Sequence, residues 1–259
     1  MKKMGKVARL AALLVLTLLF GLFPIESGNN LNKVQAATTL NNPRTVADSS
    51  MNAKQKVTWD CVWFGAYPQS EVTSGDIYNK LKNATGWDEN NDIVIDGNKY
   101  RRLKGEDATY TRSDEGGHYD WKDNYKTYHY FKYEPIKWRV LQSENGEAFL
   151  LSDVILDKQL YNENDKYVTW EKSSLRAWLN KKFIKRAFID EEREKINITE
   201  IVNQDNPVYG IEGGNNTFDK IFLLSLSEVS EQQDGEKYGF LDDEIRACGK
   251  SDFSKTVSW

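Results

Sequence analysis

The chain is poor in the side chains that usually carry covalent chemistry. It has two cysteines, Cys61 and Cys248, and two histidines, His118 and His129. The cysteines are far apart in sequence, with no second thiol near either, so no paired-cysteine redox motif is present. They are either a long-loop disulfide or two separate thiols. No Gly-x-Ser-x-Gly motif supplies a serine nucleophile, and the histidines that could serve as its base lie in or beside one polar loop. His118, Asp120 and Asp123 are metal-ligand types, but His118 has no partner at helical spacing. Asp88-Glu89-Asn90-Asn91-Asp92 resembles the start of a calcium loop. Such a loop needs Gly at its sixth position and Glu at its twelfth, where this chain has Ile93 and Lys99. A solvated acidic loop is the simpler reading. Glu191, Glu192 and Glu194 cluster at a predicted helix start, where acids serve capping and solubility. No catalytic residue, metal ligand or cofactor site is therefore expected.

Binding is a different matter. The chain has eight Trp and thirteen Tyr. Tyr110, Tyr119, Trp121 and Tyr125 fall in the polar stretch 104–127, which has no hydrophobic period. Rings on a loop could stack on a glycan or a peptide, or fold back to cover a sheet edge. The net charge is −4 and the basic residues are scattered, which excludes the basic stripe that nucleic acid requires.

The elements that would position these residues begin with an export leader. Lys2, Lys3, Lys6 and Arg9 precede an apolar run from Leu10 to Phe23 that is closed by Pro24. The run is shorter than the roughly 20 residues a membrane-spanning helix needs. Val34 and Ala36 fit signal-peptidase subsites, so residues 1–36 are expected to be a cleaved signal peptide, with an uncleaved anchor as the alternative. The only membrane contact expected is through that leader during export. Residues 37–56 are polar and aperiodic and predict a disordered linker. Order is expected from Val57, with one strand over Val57–Phe64.

Asp96-Gly97 and Asn145-Gly146 predict tight hairpins between Ile93–Ile95 and Tyr100–Leu103, and between Ile136–Leu141 and Phe149–Leu151. Leu175, Trp178, Leu179 and Phe183 share one face of a helix beginning near Ser173, with Arg176, Lys181 and Lys182 on the other. Asp190 predicts a second, short helix. Ile221–Leu224 predicts a strand buried on both faces. Strands, then helices, then strands imply a single α+β domain over 57–259.

Several segments, taken in order, carry a family resemblance. They are Trp63-Phe64-Gly65-Ala66-Tyr67-Pro68-Gln69-Ser70, Tyr100-Arg101-Arg102-Leu103, Phe131-Lys132-Tyr133-Glu134-Pro135-Ile136-Lys137-Trp138-Arg139-Val140-Leu141 and Leu150-Leu151-Ser152. Trp170-Glu171-Lys172-Ser173-Ser174-Leu175-Arg176-Ala177-Trp178-Leu179-Asn180 and Asp219-Lys220-Ile221-Phe222-Leu223-Leu224-Ser225 complete the set. From about Val57 to about Ser254 the chain resembles the domain-of-unknown-function family numbered 6273, found in exported proteins of Firmicutes. That family has no assigned activity. The Trp170–Asn180 helix more distantly resembles one in C-type-lectin-like and formylglycine-generating-enzyme-like folds, which implies a mixed sheet with flanking helices. Formylglycine-type oxidases use closely spaced reactive cysteines, which this chain lacks. Glu134-Pro135 is similar to the Glu-Pro-Asn of calcium-dependent lectins, but Ile136 replaces the Asn.

The resemblance also implies a domain missing its C-terminal strands. Relatives continue past Arg246–Phe253 into further aromatic and strand segments, whereas this chain stops at Trp259. Val57–Phe64 is then expected to have an unpaired edge and a partly open apolar face, unless the terminus is natural and the linker or a partner covers that edge. The expected function is that of a secreted or cell-surface non-catalytic module binding glycan or protein. The rival is a diverged enzyme on the formylglycine-generating-enzyme-like scaffold.

Overall fold

The computed structural model describes residues 15–19, 40–105, 126–164, 166–206, 209–230 and 234–256. In chain order the first elements are β1 (Val15–Leu19), β2 (Arg44–Ala47), β3 (Gln55–Thr58), β4 (Cys61–Glu71), α1 (Gly75–Asn83), β5 (Asp92–Ile95) and β6 (Asn98–Lys104). Then come β7 (Tyr128–Glu144), β8 (Glu147–Ser152), β9 (Val154–Ile155), α2 (Ser174–Trp178), a π turn over Leu179–Phe183, α3 (Ile184–Ala187) and α4 (Asp190–Lys195). The last are β10 (Thr199–Ile201), β11 (Thr217–Asp219), β12 (Ile221–Phe222), α5 (Leu226–Val229), α6 (Asp243–Arg246), β13 (Gly249–Lys250) and α7 (Asp252–Thr256). The architecture is mixed α and β, with several antiparallel sheets and few, short helices.

The main sheet runs β12-β1-β8-β7-β6-β5, with β4 on the other edge of β7. The long β7 organises it. At Phe131 and Lys132 it is flanked by β6 and β4, and at Trp138 and Arg139 by β8 and β4. The two predicted hairpins form. Asp96 and Gly97 take φ of 50° and 74°, and Asn145 and Gly146 take 54° and 80°, as a two-residue primed turn demands. In β7 the buried positions switch from Phe131 and Tyr133 to Ile136, Trp138 and Val140. The switch falls at Glu134-Pro135, beside slips in the β4 register. Pro135 has no N–H to donate, so the phase change is placed where the ladder is already broken.

The helical stretch 174–187 lies against this sheet. Ser173 caps it, its hydroxyl accepting from the Arg176 N–H at 3.1 Å. Leu175, Leu179 and Phe183 are buried in the main core, and Trp178 packs at its margin, half-buried. That core also holds Tyr67, Phe131, Ile136, Trp138, Leu150, Phe188 and Ile221.

Four expectations are corrected. The segment read as a disordered linker, 37–56, contains a hairpin: β2 pairs with β3 from Arg44↔Thr58 to Ala47↔Gln55. Its strands are almost wholly exposed, so no hydrophobic alternation announced it. The single strand expected over Val57–Phe64 is broken at Trp59-Asp60 into β3 and β4. The strand expected over Ile221–Leu224 ends at Phe222.

Finally, the other edge of β4 does lack a ladder partner among the described residues, but helices cover it rather than leaving an apolar face open. The Glu192 carboxylate accepts the Gly65 N–H at 3.2 Å, and Asp252 accepts the Glu71 N–H at 3.2 Å. Phe188 packs 5.3 Å from Phe64, and Phe253 of α7 lies against Tyr67 and Phe131. Two carboxylates aimed at its N–H groups block such an edge from pairing with another chain.

Candidate binding face

The most distinctive polar residues of the sequence turn out to lock the fold. Asp219, 2% exposed, accepts from Arg176 Nε at 2.7 Å, Trp170 Nε1 at 3.0 Å and Thr217 Oγ1 at 2.8 Å. Asn180 donates to the Ile221 carbonyl at 2.8 Å and accepts from the Lys220 and Ile221 N–H groups at 2.9 and 3.2 Å. The Trp170–Asn180 motif and Asp219–Ile221 are thus two halves of one fastening between helix and sheet. Arg176, expected on the face opposite the apolar stripe, is one of its pins.

A second polar group lies inside the domain. Asp92 accepts both prongs of Arg101, at 2.7 and 2.9 Å, and the Tyr133 hydroxyl at 2.8 Å, with Lys99 Nζ 3.0 Å away. Burial pushes the Asp92 carboxyl up, but Arg101 and Lys99 outweigh it and hold the group below its ordinary value. Tyr67 donates to Asp157, and Arg186 Nη1 reaches the same hydroxyl at 3.4 Å. Burial raises both groups; the Asp157 charge raises Tyr67 further, while the Tyr67 hydrogen bond and Arg186 lower Asp157 by less than burial raises it. These groups satisfy one another in the interior, which is a structural role.

The surface that can meet a ligand is the outward face of β4 and β7. Val62 and Trp138 point into the core, so their neighbours Cys61, Trp63, Lys137 and Arg139 take the opposite face. Trp63 is 54% exposed and stands opposite Lys137 in the ladder. Asp153 joins the row: Arg139 Nε donates to it at 2.6 Å and Lys137 Nζ lies at 3.1 Å. Burial raises the Asp153 carboxyl, but the two cations prevail and its pKa is lowered. Arg139 also sits 5.0 Å over the Trp59 ring. Beyond it opens a cleft of about 320 Å³, lined by Trp59, Arg139, Lys56, Asp48, Ile245 and Ala247.

Cys61 and Cys248 are free thiols, both half-buried. They flank one ion pair: Cys61 stands opposite Arg139 in the ladder, and Cys248 precedes Gly249, which pairs with Val154 next to Asp153. Burial pushes both thiols up, the opposite of what a reactive thiolate needs. The two cysteines, far apart in sequence, thus share a neighbourhood but no bond.

The aromatic candidates Tyr110, Tyr119, Trp121 and Tyr125 lie outside the described residues, as do His118, Asp120 and Asp123. His129 Nδ1 is 2.7 Å from Glu71 Oε1. The acidic stretch 88–92 is a turn, with Asp88 Oδ1 accepting from the N–H groups of Asn90 and Asp92, each at 2.8 Å. Glu192 caps its helix as expected, accepting the Ile189 N–H at 3.0 Å, and in addition holds Gly65. Glu134 and Pro135 sit inside β7. Sequence reasoning missed the outward row. The alternation Lys137-Trp138-Arg139 was its signal, since a buried Trp between two cations sets both cations on one face.

Residues 145–259 match the model of a domain of unknown function, DUF6273. The match takes in Leu150–Ser152 of β8 and both halves of the helix–sheet fastening, Trp170–Asn180 and Asp219–Ile221. No curated protein and no solved structure matches the chain.

Proposed function

We propose that this chain is a non-catalytic binding module, exported to the cell surface or medium, that recognises a glycan or a protein through the outward face of β4 and β7. The observation that carries the reading is Trp63, a large ring 54% exposed beside the Lys137–Asp153 pair. An exposed indole next to fixed donors and acceptors suits a sugar ring or a polar peptide, stacking on one face and hydrogen-bonding at the rim. Tyr110, Tyr119, Trp121 and Tyr125, rings of the polar stretch 104–127, are further candidates for stacking of the same kind. Among the described residues, no helix is long and apolar enough to cross a membrane.

The basic start and short apolar run of residues 1–36 support export, with cleavage between Ala36 and Ala37. The family resemblance from about Val57 supports one domain of that uncharacterised family. The helix at 174–187 on an antiparallel sheet supports a C-type-lectin-like scaffold. A glycan and mucin array probed with the purified protein tests the function. Trp63→Ala should lower the array signal at least about tenfold while leaving the denaturation midpoint within about 0.5 kcal/mol of wild type. An array with no signal for the wild-type protein would refute glycan binding, and an unchanged signal for Trp63→Ala would refute this face.

A further inference from the structure

The outer part of the main sheet is completed by a segment remote in sequence. β1 lies between β8 and β12 and runs antiparallel to both. Val15 pairs with Leu151 on one side and Phe222 on the other, and Leu16 with Leu150 and Ile221. Thr17, Leu18 and Leu19 continue along β8 alone, opposite Phe149, Ala148 and Glu147. Because both neighbours are antiparallel to β1, β8 and β12 are parallel to each other, about 9–10 Å apart, twice the strand spacing. They cannot bond to one another across that gap. With β1 in place Leu150, Leu151, Ile221 and Phe222 are all 2% exposed or less, so β1 closes this part of the sheet and pairs backbone groups that β8 and β12 cannot pair with each other.

We propose that the gap between β8 and β12 is a strand-accepting site, and that its occupant before processing is the apolar segment Val15–Leu19 of the same chain. The site requires an extended, uncharged, proline-free segment, because it offers backbone ladders on both sides and apolar neighbours. The segment Val15-Leu16-Thr17-Leu18-Leu19 meets each requirement. It lies in the run whose composition is that of an export leader. Removing the leader therefore leaves the facing ladders of β8 and β12 without that strand, and the same segment supplied in trans can refill the gap, which is β-augmentation at a site within a sheet. The occupancy rests on the sheet pairing alone and stands or falls separately from glycan recognition.

Cross-linking tests it in the full chain, produced without export. In a Cys61→Ser, Cys248→Ser background, Thr17→Cys with Phe149→Cys joins two residues that face each other in the ladder. Mild oxidation should give an intramolecular 17–149 link, seen by mass spectrometry. Leu19→Cys with Phe149→Cys, two positions out of register, should give at least about fivefold less, because disulfide geometry tolerates little offset. Equal yields, no link, or links only between two chains would overturn the proposal.

Hydrogen exchange reads the acceptor itself. Leu16→Pro with Thr17→Pro should reduce protection of the amides in Phe149–Leu151 and Ile221–Phe222 about tenfold or more. A lysine-tagged peptide of residues 13–21 should restore it, and a scrambled peptide should not. Protection unchanged by the prolines, or restored equally by both peptides, would overturn it. If the proline chain does not fold, the cross-link yields decide.

Discussion

The Tyr67 hydroxyl donates to the Asp157 carboxylate at a point where the side chains are 0% and 3% exposed. Removing the donor leaves a buried acceptor short of a partner, which costs the full desolvation of that group. Tyr67→Phe should therefore lower stability by about 1–3 kcal/mol, although it keeps the ring that packs 5.0 Å from Phe183. Urea denaturation at pH 7 measures it, and an unchanged midpoint would mean that water replaces the hydroxyl.

Asp157 and Asp60 should pull the pH dependence of stability in opposite directions. Burial lifts Asp157 above its ordinary value of 3.8. Its contribution is full below that value and is lost as pH rises through the folded pKa. Asp60, hydrogen-bonded by Arg44 at 2.7 Å, is lowered to about 2. Its contribution is full above 3.8 and is lost as pH falls toward 2. Asp157→Asn should flatten the loss on the rising side. Asp60→Asn should flatten the acid limb by about 1 kcal/mol, a figure reduced for the solvent screening of a half-exposed Arg44. Urea midpoints from pH 2 to 7 for the two variants test both signs.

Phe183→Ala should cost about 3–5 kcal/mol, the range for a fully buried aromatic. Trp178→Ala should cost less, about 2 kcal/mol, because its ring is half-buried at the core margin, 5.4 Å from Phe183. The full range would be due to Trp178 if the apolar stripe were buried evenly. The order of the two midpoints is the check.

Gly65→Ala should destabilise by about 2–4 kcal/mol, since both backbone and space resist it. Gly65 has φ +71°, and an added Cβ would lie 2.5 Å from Phe188 Cδ1 and 2.7 Å from the Ala187 carbonyl oxygen. Thermal melting of the variant measures it. A loss under about 0.5 kcal/mol would mean that the 187–188 corner yields easily.

Cys61 and Cys248 should be alkylated by iodoacetamide at pH 7.5 at least about tenfold more slowly than a free cysteine, because burial disfavours both thiolates. Labelling at the free-thiol rate only in denaturant would confirm the burial.

Local chemistry was legible where it acts through neighbours in sequence. Asp96-Gly97 and Asn145-Gly146 dictate their turns through positive φ, and the Leu175–Phe183 spacing dictates its helix. Partners remote in sequence were not legible. Asp219 gives no sign that Arg176 and Trp170 will find it, and Glu192 reads as a surface acid until Gly65 is seen beside it. The β2–β3 hairpin was hidden for the opposite reason: exposed strands carry no apolar alternation. In the binding face, Lys137 and Arg139 could be placed together by alternation, but Asp153 arrives from the bend between β8 and β9, and Cys248 from the residue before β13.

The contact between Asp252 and the Glu71 N–H spans 181 residues, and the Phe253 ring lies on Tyr67 and Phe131. An early strand is thus finished only by a late helix. During synthesis at about 5–20 residues per second, β4 waits on the order of ten seconds or more for α7. Loop closure over such separations is slow in any case. Until α7 is made, the Glu71 N–H has no Asp252 carboxylate to meet it, and that end of the β4 edge stays open to pairing with another chain.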